Sequence, residues 1–338
     1  MVEKTKLHII VYAALGKGLS GGDNILIELS KRWADKLDIT IYGGLQIKDA
    51  ACAKGLTNVV FNTCPSKTKF RYLERMFWSL KTAFTFKDVG IVYTASDFLH
   101  DLLVGWIIKL RNPKIKWISG YYLVAPPVFA PNSPYRGFSR IRGLGYWLMQ
   151  RFTLRIVNKW ADIVYVTSVP ETKHFPNKKT VVIRGGVNIP KILNSDIKKE
   201  YEAVFLGRFH YQKGVLELID IWKMVCKIKP KAKLIMIGDG TLWNKCQVKR
   251  EKLGLYDNIS FIPFVGDNLK EYYFTRSKLI LHPATFDSGG MSAAEGMAYG
   301  LPAVGFDLEV FKTYYPRGMV HVKTKEEFCK VIIELLNN

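Results

Sequence analysis

A chain of 338 residues with 48% hydrophobic content is long enough for two α/β domains with separate cores, and it is too apolar for disorder. Its net charge of +21 is uneven: residues 1–190 hold 28 Lys and Arg against 12 Asp and Glu, and residues 191–338 hold 22 against 17. Five scattered cysteines without CxxC spacing exclude a zinc ribbon and a disulfide frame, and read as buried thiols in a reducing compartment.

The first six residues followed by the apolar run from Leu7 to Leu15 imitate a secretory signal. The run reads better as a first buried strand, because it feeds a glycine-rich turn and then an amphipathic helix at Ile25–Trp33. In that turn Gly16, Gly18 and Gly21 meet the GxGxxG pattern of dinucleotide sites, with Lys17 as an extra cation. A dinucleotide site also wants an acid ending the second strand, yet Asp38–Tyr42 runs into Gly43-Gly44, which argues against a dehydrogenase. Gly21 and Gly22 then serve either a tight turn or a close approach of backbone to a phosphate.

Further strands are expected at Asn58–Phe61, Gly90–Tyr93 and Lys116–Ser119, separated by helices, so the sheet should be parallel with its loops gathered at one edge. Those loops bring Asp97, Tyr121 and Tyr122. Asp97 either orients a substrate hydroxyl or caps the helix that follows it. Residues 66–160 carry 16 basic and 4 acidic side chains interleaved with aromatics, which suits an anionic membrane surface or a polyanion. Within it, 67–86 and 134–160 are basic helices whose aromatic edges face either lipid or core. Residues 117–135 lack charge but hold four prolines, so they do not form a membrane-spanning helix. His100 and His174 have no metal-binding spacing around them, and no metal site is expected anywhere.

The second half opens with the strand Ala203–Leu206 and the loop Gly207-Arg208-Phe209-His210-Tyr211-Gln212-Lys213-Gly214 before a helix from Val215. Arg208 offers a planar fork and Lys213 a compact cation, a pair suited to a diphosphate. Two more strand-to-loop passages follow, one ending at Gly238-Asp239-Gly240 and one at Pro263-Phe264-Val265-Gly266. The buried strand Leu279–Leu281 then leads into Asp287-Ser288-Gly289-Gly290-Met291 and a helix carrying Glu295. The amides of Gly290 and Met291 open that helix, where anions are favoured, and Asp287 and Glu295 frame it with acceptors for hydroxyls. The last segment, Thr324–Leu336, is a capped amphipathic helix.

The Asp287-x7-Glu295 stretch, the Gly207-Arg208-x4-Lys213-Gly214 loop and Arg184-Gly185-Gly186-Val187-Asn188 together resemble the motifs of the family 4 retaining glycosyltransferases of the GT-B fold. Asp287 stands where that family usually has Glu, and Tyr121 and Tyr122 stand where it often has a His. The resemblance implies an α/β chain of two Rossmann-like, doubly wound domains facing a cleft, with an acceptor-side domain at 1–188 and a nucleotide-sugar domain at 189–338. It implies transfer of a hexose from a nucleoside diphosphate sugar to an acceptor hydroxyl, with retention and without a cofactor. In it Glu295 serves the ribose, Asp287 the transferred sugar, and Arg208 and Lys213 the leaving phosphate. Gly21, Gly22, Gly207, Gly238, Val265, Gly290 and Met291 line the sugar donor, and Asp97, Tyr121 and Tyr122 lie toward the acceptor.

Relatives in that family continue with helices that cross back onto the first domain, so looser tethering is expected here. Combined with the basic first half, the acceptor is expected to be a lipid-linked glycan or glycolipid, on a cytoplasmic protein that attaches to the cytoplasmic membrane face. A DNA-modifying glucosyltransferase and a degenerate sugar-nucleotide-binding module stand as alternatives, with nucleic acid the less favoured partner.

Overall fold

The computed structural model describes residues 4–13, 21–65, 71–130, 133, 135–137, 139–190 and 197–337. Gly16, Lys17 and Gly18 of the first glycine-rich turn and the start of the 67–86 segment lie outside the described residues. The chain divides into two compact units: Met1–Pro127 with Ile141–Gly185, and Val128–Arg140 with Gly186–Asn338.

The first unit alternates strand and helix as β1 (Thr5–Val11), α1 (Gly21–Trp33), β2 (Leu37–Gly44), α2 (Leu45–Ala53), β3 (Val60–Cys64), α3 (Arg71–Thr85), β4 (Ile91–Thr94), α4 (Leu99–Arg111), β5 (Lys116–Gly120), α5 (Ser139–Trp160), β6 (Ile163–Val166) and β7 (Lys179–Val182). Its seven strands are parallel in the order β3-β2-β1-β4-β5-β6-β7. Leu26, Ile27, Ile47 and Ala51 of α1 and α2 pack on one face with Leu7, Ile9 and Val11. Ala83, Leu102, Val104, Ile108, Leu154 and Val157 of α3, α4 and α5 pack on the other with Ile10, Val92 and Trp117. Neighbouring residues of β1 thus serve opposite layers, as the pleat requires.

The second unit runs β8 (Tyr201–Leu206), α6 (Val215–Ile228), β9 (Leu234–Ile237), α7 (Trp243–Lys252), β10 (Ile259–Ile262), α8 (Asp267–Arg276), β11 (Ser277–His282), α9 (Met291–Ala298), β12 (Ala303–Phe306), α10 (Glu309–Tyr314), β13 (Met319–Val322) and α11 (Lys325–Asn337). Its sheet, also parallel, has the order β10-β9-β8-β11-β12-β13. All four residues of β9 are buried, and so are Leu279, Ile280 and Leu281 of β11, because helices cover both faces. At the start of α11 Thr324 Oγ1 accepts the Glu327 amide at 3.1 Å, and Glu327 Oε2 accepts the Lys323 amide at 2.7 Å. That is the reciprocal cap the sequence pattern implies.

Strand order reverses between β1 and β4 in the first sheet and between β8 and β11 in the second. Loops that leave such neighbouring strands toward opposite faces open a crevice at the carboxyl ends, where ligands of these sheets bind. Both units are doubly wound, as the resemblance implies for the fold. The third strand begins two residues later than the apolar run suggests, at Val60, and lies at the sheet edge with Val60 exposed.

Two expectations are corrected by burial. Asp97 does not cap α4: the residue before that helix is Phe98, without a side-chain cap, and the Asp97 carboxylate turns inward. Tyr121 is a core residue with no exposed surface rather than a residue facing a crevice. Its hydroxyl is used by the Gln150 carbonyl at 3.2 Å and by Thr153 Oγ1 at 3.1 Å.

Candidate functional site

The loops after β8, β9 and β11 are tied to one another by backbone. After β8, His210 Nδ1 accepts the Gln212 amide at 3.3 Å and shapes a short turn over Tyr211–Lys213. Gly214 ends that turn at φ 63°, and a methyl group there would overlap the carbonyl oxygen of Pro283 in the loop after β11. The Thr285 amide donates to the Gln212 carbonyl at 3.0 Å, which adds a second tie between the same loops. The loop after β9 is held alike, since the Phe209 amide donates to Asp239 at 2.9 Å and Gly238 packs on the Gly207 carbonyl. Gly214 and Gly238 are therefore close-approach glycines between loops, whereas a methyl group at Gly207 would press only on the Phe205 ring of its own strand.

These ties bring Lys213 to Asp287. The Lys213 ammonium donates to Asp287 Oδ2 at 2.5 Å, and Oδ1 accepts the amides of Ser288, Gly289 and Gly290 at 2.8, 3.2 and 3.1 Å. His282 Nε2 lies 3.0 Å from Oδ2, and Ser292 Oγ lies 3.0 Å from His282 Nδ1. Burial pushes the Asp287 carboxyl up, but the Lys213 charge and the His282 hydrogen bond outweigh it and hold the group well below the usual carboxylate range. Burial also lowers His282 despite Asp287, so the ring is neutral. An ionised carboxylate only accepts, so Nε2 carries the proton and Nδ1 accepts from the Ser292 hydroxyl.

Gly290, at φ 60°, starts α9, and the Tyr315 hydroxyl donates to the Gly289 carbonyl at 2.6 Å. The Gly290 amide is thus spent on Asp287, while that of Met291 opens the helix. One turn on, Glu295 pairs with Lys270 of α8 at 2.7 Å. Lys270 also reaches Asp267 at 3.0 Å, and despite desolvation these carboxylates raise its affinity for the proton. Arg208 is exposed. Burial first, then the charges of Arg208 and Lys213, lowers the proton affinity of His210, so both cations act on one neighbour. Val265 is half-buried against the core, and Phe264 beside it is 78% exposed.

In the first unit Gly21 and Gly22 open α1. The Asp97 carboxylate accepts from Gln150 Nε2 at 2.8 Å and from the Tyr146 hydroxyl at 3.0 Å, which binds the β4–α4 loop to α5. Burial raises its pKa against those two hydrogen bonds. The Tyr122 hydroxyl bonds that of Tyr93, and the Tyr122 carbonyl accepts from Thr167 at 2.6 Å. Nearer the strand reversal is Asp101, which accepts from Ser96 Oγ at 2.5 Å and from the amides of Tyr12 and Ala13 at 2.6 and 3.1 Å. Desolvation pushes Asp101 up to about 7. Fully buried Arg75 donates to the Tyr12 carbonyl at 3.0 Å and to Gln46 at 2.6 Å.

Sequence reasoning missed His282, Ser292, Lys270 and Asp101. A histidine closing an otherwise apolar strand, with an acid five residues on, is a signal that finds the first. Lys270 has none, since it comes from another helix.

Residues 190–338 match the model of the family described as glycosyl transferases group 1. An uncharacterized glycosyltransferase of Methanocaldococcus jannaschii is 28% identical over 255 residues, which is 70% of this chain and 60% of that protein's length. The alpha-monoglucosyldiacylglycerol synthase of Streptococcus pneumoniae is 22% identical over 138 residues, 36% of this chain and 31% of that one. Among solved structures, Anabaena HepE in complex with UDP and glucose superposes with a TM-score of 0.72 at 16% identity, covering 99% of this chain and 90% of that one. The match to the glycosyl transferases group 1 model is thus confined to residues 190–338, and both units have the Rossmann-like fold of the GT-B glycosyltransferases.

Proposed function

We propose that the chain is a retaining glycosyltransferase that moves a hexose from a nucleoside diphosphate sugar to a hydroxyl of a glycolipid or lipid-linked glycan. The observation that carries this reading is the tie between the loops after β8 and β11, which sets Lys213 on Asp287 one turn away from Glu295. Glu295 accepts the ribose hydroxyls and Asp287 the hydroxyls of the transferred sugar. Arg208, Lys213 and the amide of Met291 meet the negative charge that grows on the β-phosphate as the bond from the anomeric carbon to its oxygen breaks. The electron pair stays with the phosphate, the acceptor oxygen bonds the anomeric carbon on the same face, and its proton passes to the departing phosphate. Two protein cations supply the neutralisation, so a divalent ion has no assigned part.

UDP and glucose in the HepE structure support UDP-glucose as the first sugar donor to try. The name of the pneumococcal relative supports a lipid acceptor. So does the first unit: α5 carries five basic side chains and no acidic one, and its outer face shows Ile141, Leu144, Leu148 and Phe152. Among the described residues no helix is long and apolar enough to cross a membrane. On the strength of that basic and apolar face of α5, we read the protein as a peripheral enzyme at the cytoplasmic membrane face.

The test is thermal-shift screening against nucleoside diphosphate sugars, followed by transfer assays with lipid extracts and duplex DNA as rival acceptors. Sugar in a lipid product supports the reading. Sugar in DNA replaces it with a nucleic-acid enzyme, and binding without transfer or hydrolysis replaces it with a binding module.

A further inference from the structure

The Asp287 carboxylate has five partners: three amides, His282 and Lys213. Each carboxylate oxygen offers about two lone pairs; Oδ1 takes the three amides and Oδ2 takes His282 and Lys213, so Oδ2 has no room for a sugar hydroxyl unless one of its two partners leaves. The three amides belong to the turn that starts α9 and are fixed by it. The His282 ring has almost no exposed surface, stands edge-on to Phe311 at 5.2 Å and is held from behind by Ser292. Lys213 is different: its ammonium sits on a flexible four-carbon stem and its side chain retains 18% exposure.

We propose that Lys213 is an exchangeable cation, resting on Asp287 in the free protein and drawn to the diphosphate when the sugar donor binds. In this exchange His282, oriented by Ser292, is the positioning residue that keeps Asp287 charged and aimed after the ammonium has left. The move frees one acceptor position on Oδ2 as the phosphate arrives, so the carboxylate becomes able to take a sugar hydroxyl only when a sugar donor is present. The proposal rests on the nucleoside-diphosphate reading above and adds two residues to it.

The test is a double-mutant cycle on the full-length chain, with calorimetric affinity for inorganic pyrophosphate and for UDP and GDP as the readout. His282→Leu removes the permanent partner, so releasing Lys213 leaves Oδ2 bare, and affinity should fall about tenfold, equivalent to roughly 1.4 kcal/mol. His282→Gln, whose amide donates from a similar place, should recover most of it. In a Lys213→Met background no exchange occurs, and His282→Leu should change affinity by less than about twofold, a non-additivity of the kind contacting residues show. Melting curves for each variant separate loss of fold from loss of affinity. A His282→Leu effect of equal size in both backgrounds, or no recovery by His282→Gln, overturns the exchange and leaves the transferase reading standing. A wild-type chain that binds none of the three probes overturns both.

Discussion

The two sheets reverse strand order in the same way, and each reversal holds a buried aspartate, but the two carboxylates live in opposite electrostatic surroundings. Asp287 has an ammonium and a histidine and stays charged; Asp101 is held by a hydroxyl and two amides and is pushed up to about 7. Topology fixes where the crevices open. It does not fix their charge: among the described residues, the loops of the second crevice bring Arg208 and the ammonium of Lys213 beside the buried carboxylate's turn. The first is furnished to hold its own backbone, since Asp101 and Arg75 both grip residue 12 at the end of β1.

That contrast can be broken most strongly by pH. Asp101 has a folded pKa raised above its unfolded value near 3.8, so its contribution is full below that value and is lost as pH rises toward about 7. Each tenfold difference in proton affinity between the folded and unfolded chain is worth about 1.4 kcal/mol, so Asp101→Asn should flatten a loss of a few kcal/mol in denaturant unfolding at stepped pH. Asp287 runs the other way: its contribution is present above the ordinary carboxylate range and is lost as pH falls below it. Difference curves of equal sign for Asp101→Asn and Asp287→Asn would erase the distinction.

Next in size are the cations. Arg208→Ala or Lys213→Ala should each lower transfer or hydrolysis of the sugar donor at least about tenfold, since charged contacts of this kind are worth roughly 1.5–3 kcal/mol. Unchanged turnover in both refutes the clamp. Gly214→Ala should cost at least about 1–2 kcal/mol of stability from its positive φ alone, more with the Pro283 overlap, read as a lower melting temperature. A neutral result would mean that the two loops are not locked together.

The smallest effects belong to the outer face of the first unit. Leu148 and Phe152 of α5 and Leu73 and Phe77 of α3 are exposed apolar side chains at helical spacing beside Lys81, Arg151 and Arg155. Leu148→Ser and Phe77→Ser should weaken sedimentation with anionic vesicles several-fold at low salt, each basic contact being worth about 1 kcal/mol, while the melting temperature stays put. Equal binding to neutral and anionic vesicles would contradict the surface.

Much of the second unit is legible in sequence because its signals are local. The apolar runs at Leu234–Ile237 and Leu279–Leu281 fit only strands covered on both faces, and Gly214 and Gly290 punctuate helix starts within a few residues of the charged groups they position. The rest depends on contacts between distant segments. Asp97 resembles a helix cap until Gln150 and Tyr146, about fifty residues away, take its carboxylate. Glu295 resembles a free acceptor until Lys270 arrives from α8. Tyr121 sits just past a strand end, and no local pattern tells that α5 will cover it.

In the proposed transferase, cations after β8 and acids after β11 form one phosphate-and-sugar site. Thermal unfolding with increasing UDP-glucose and the other nucleoside diphosphate sugars, for the wild type and for Arg208→Ala combined with Lys213→Ala, tests it most directly. A concentration-dependent rise in melting temperature is expected for at least one sugar nucleotide in the wild type, with its loss in the double variant. An equal rise in both proteins would contradict it.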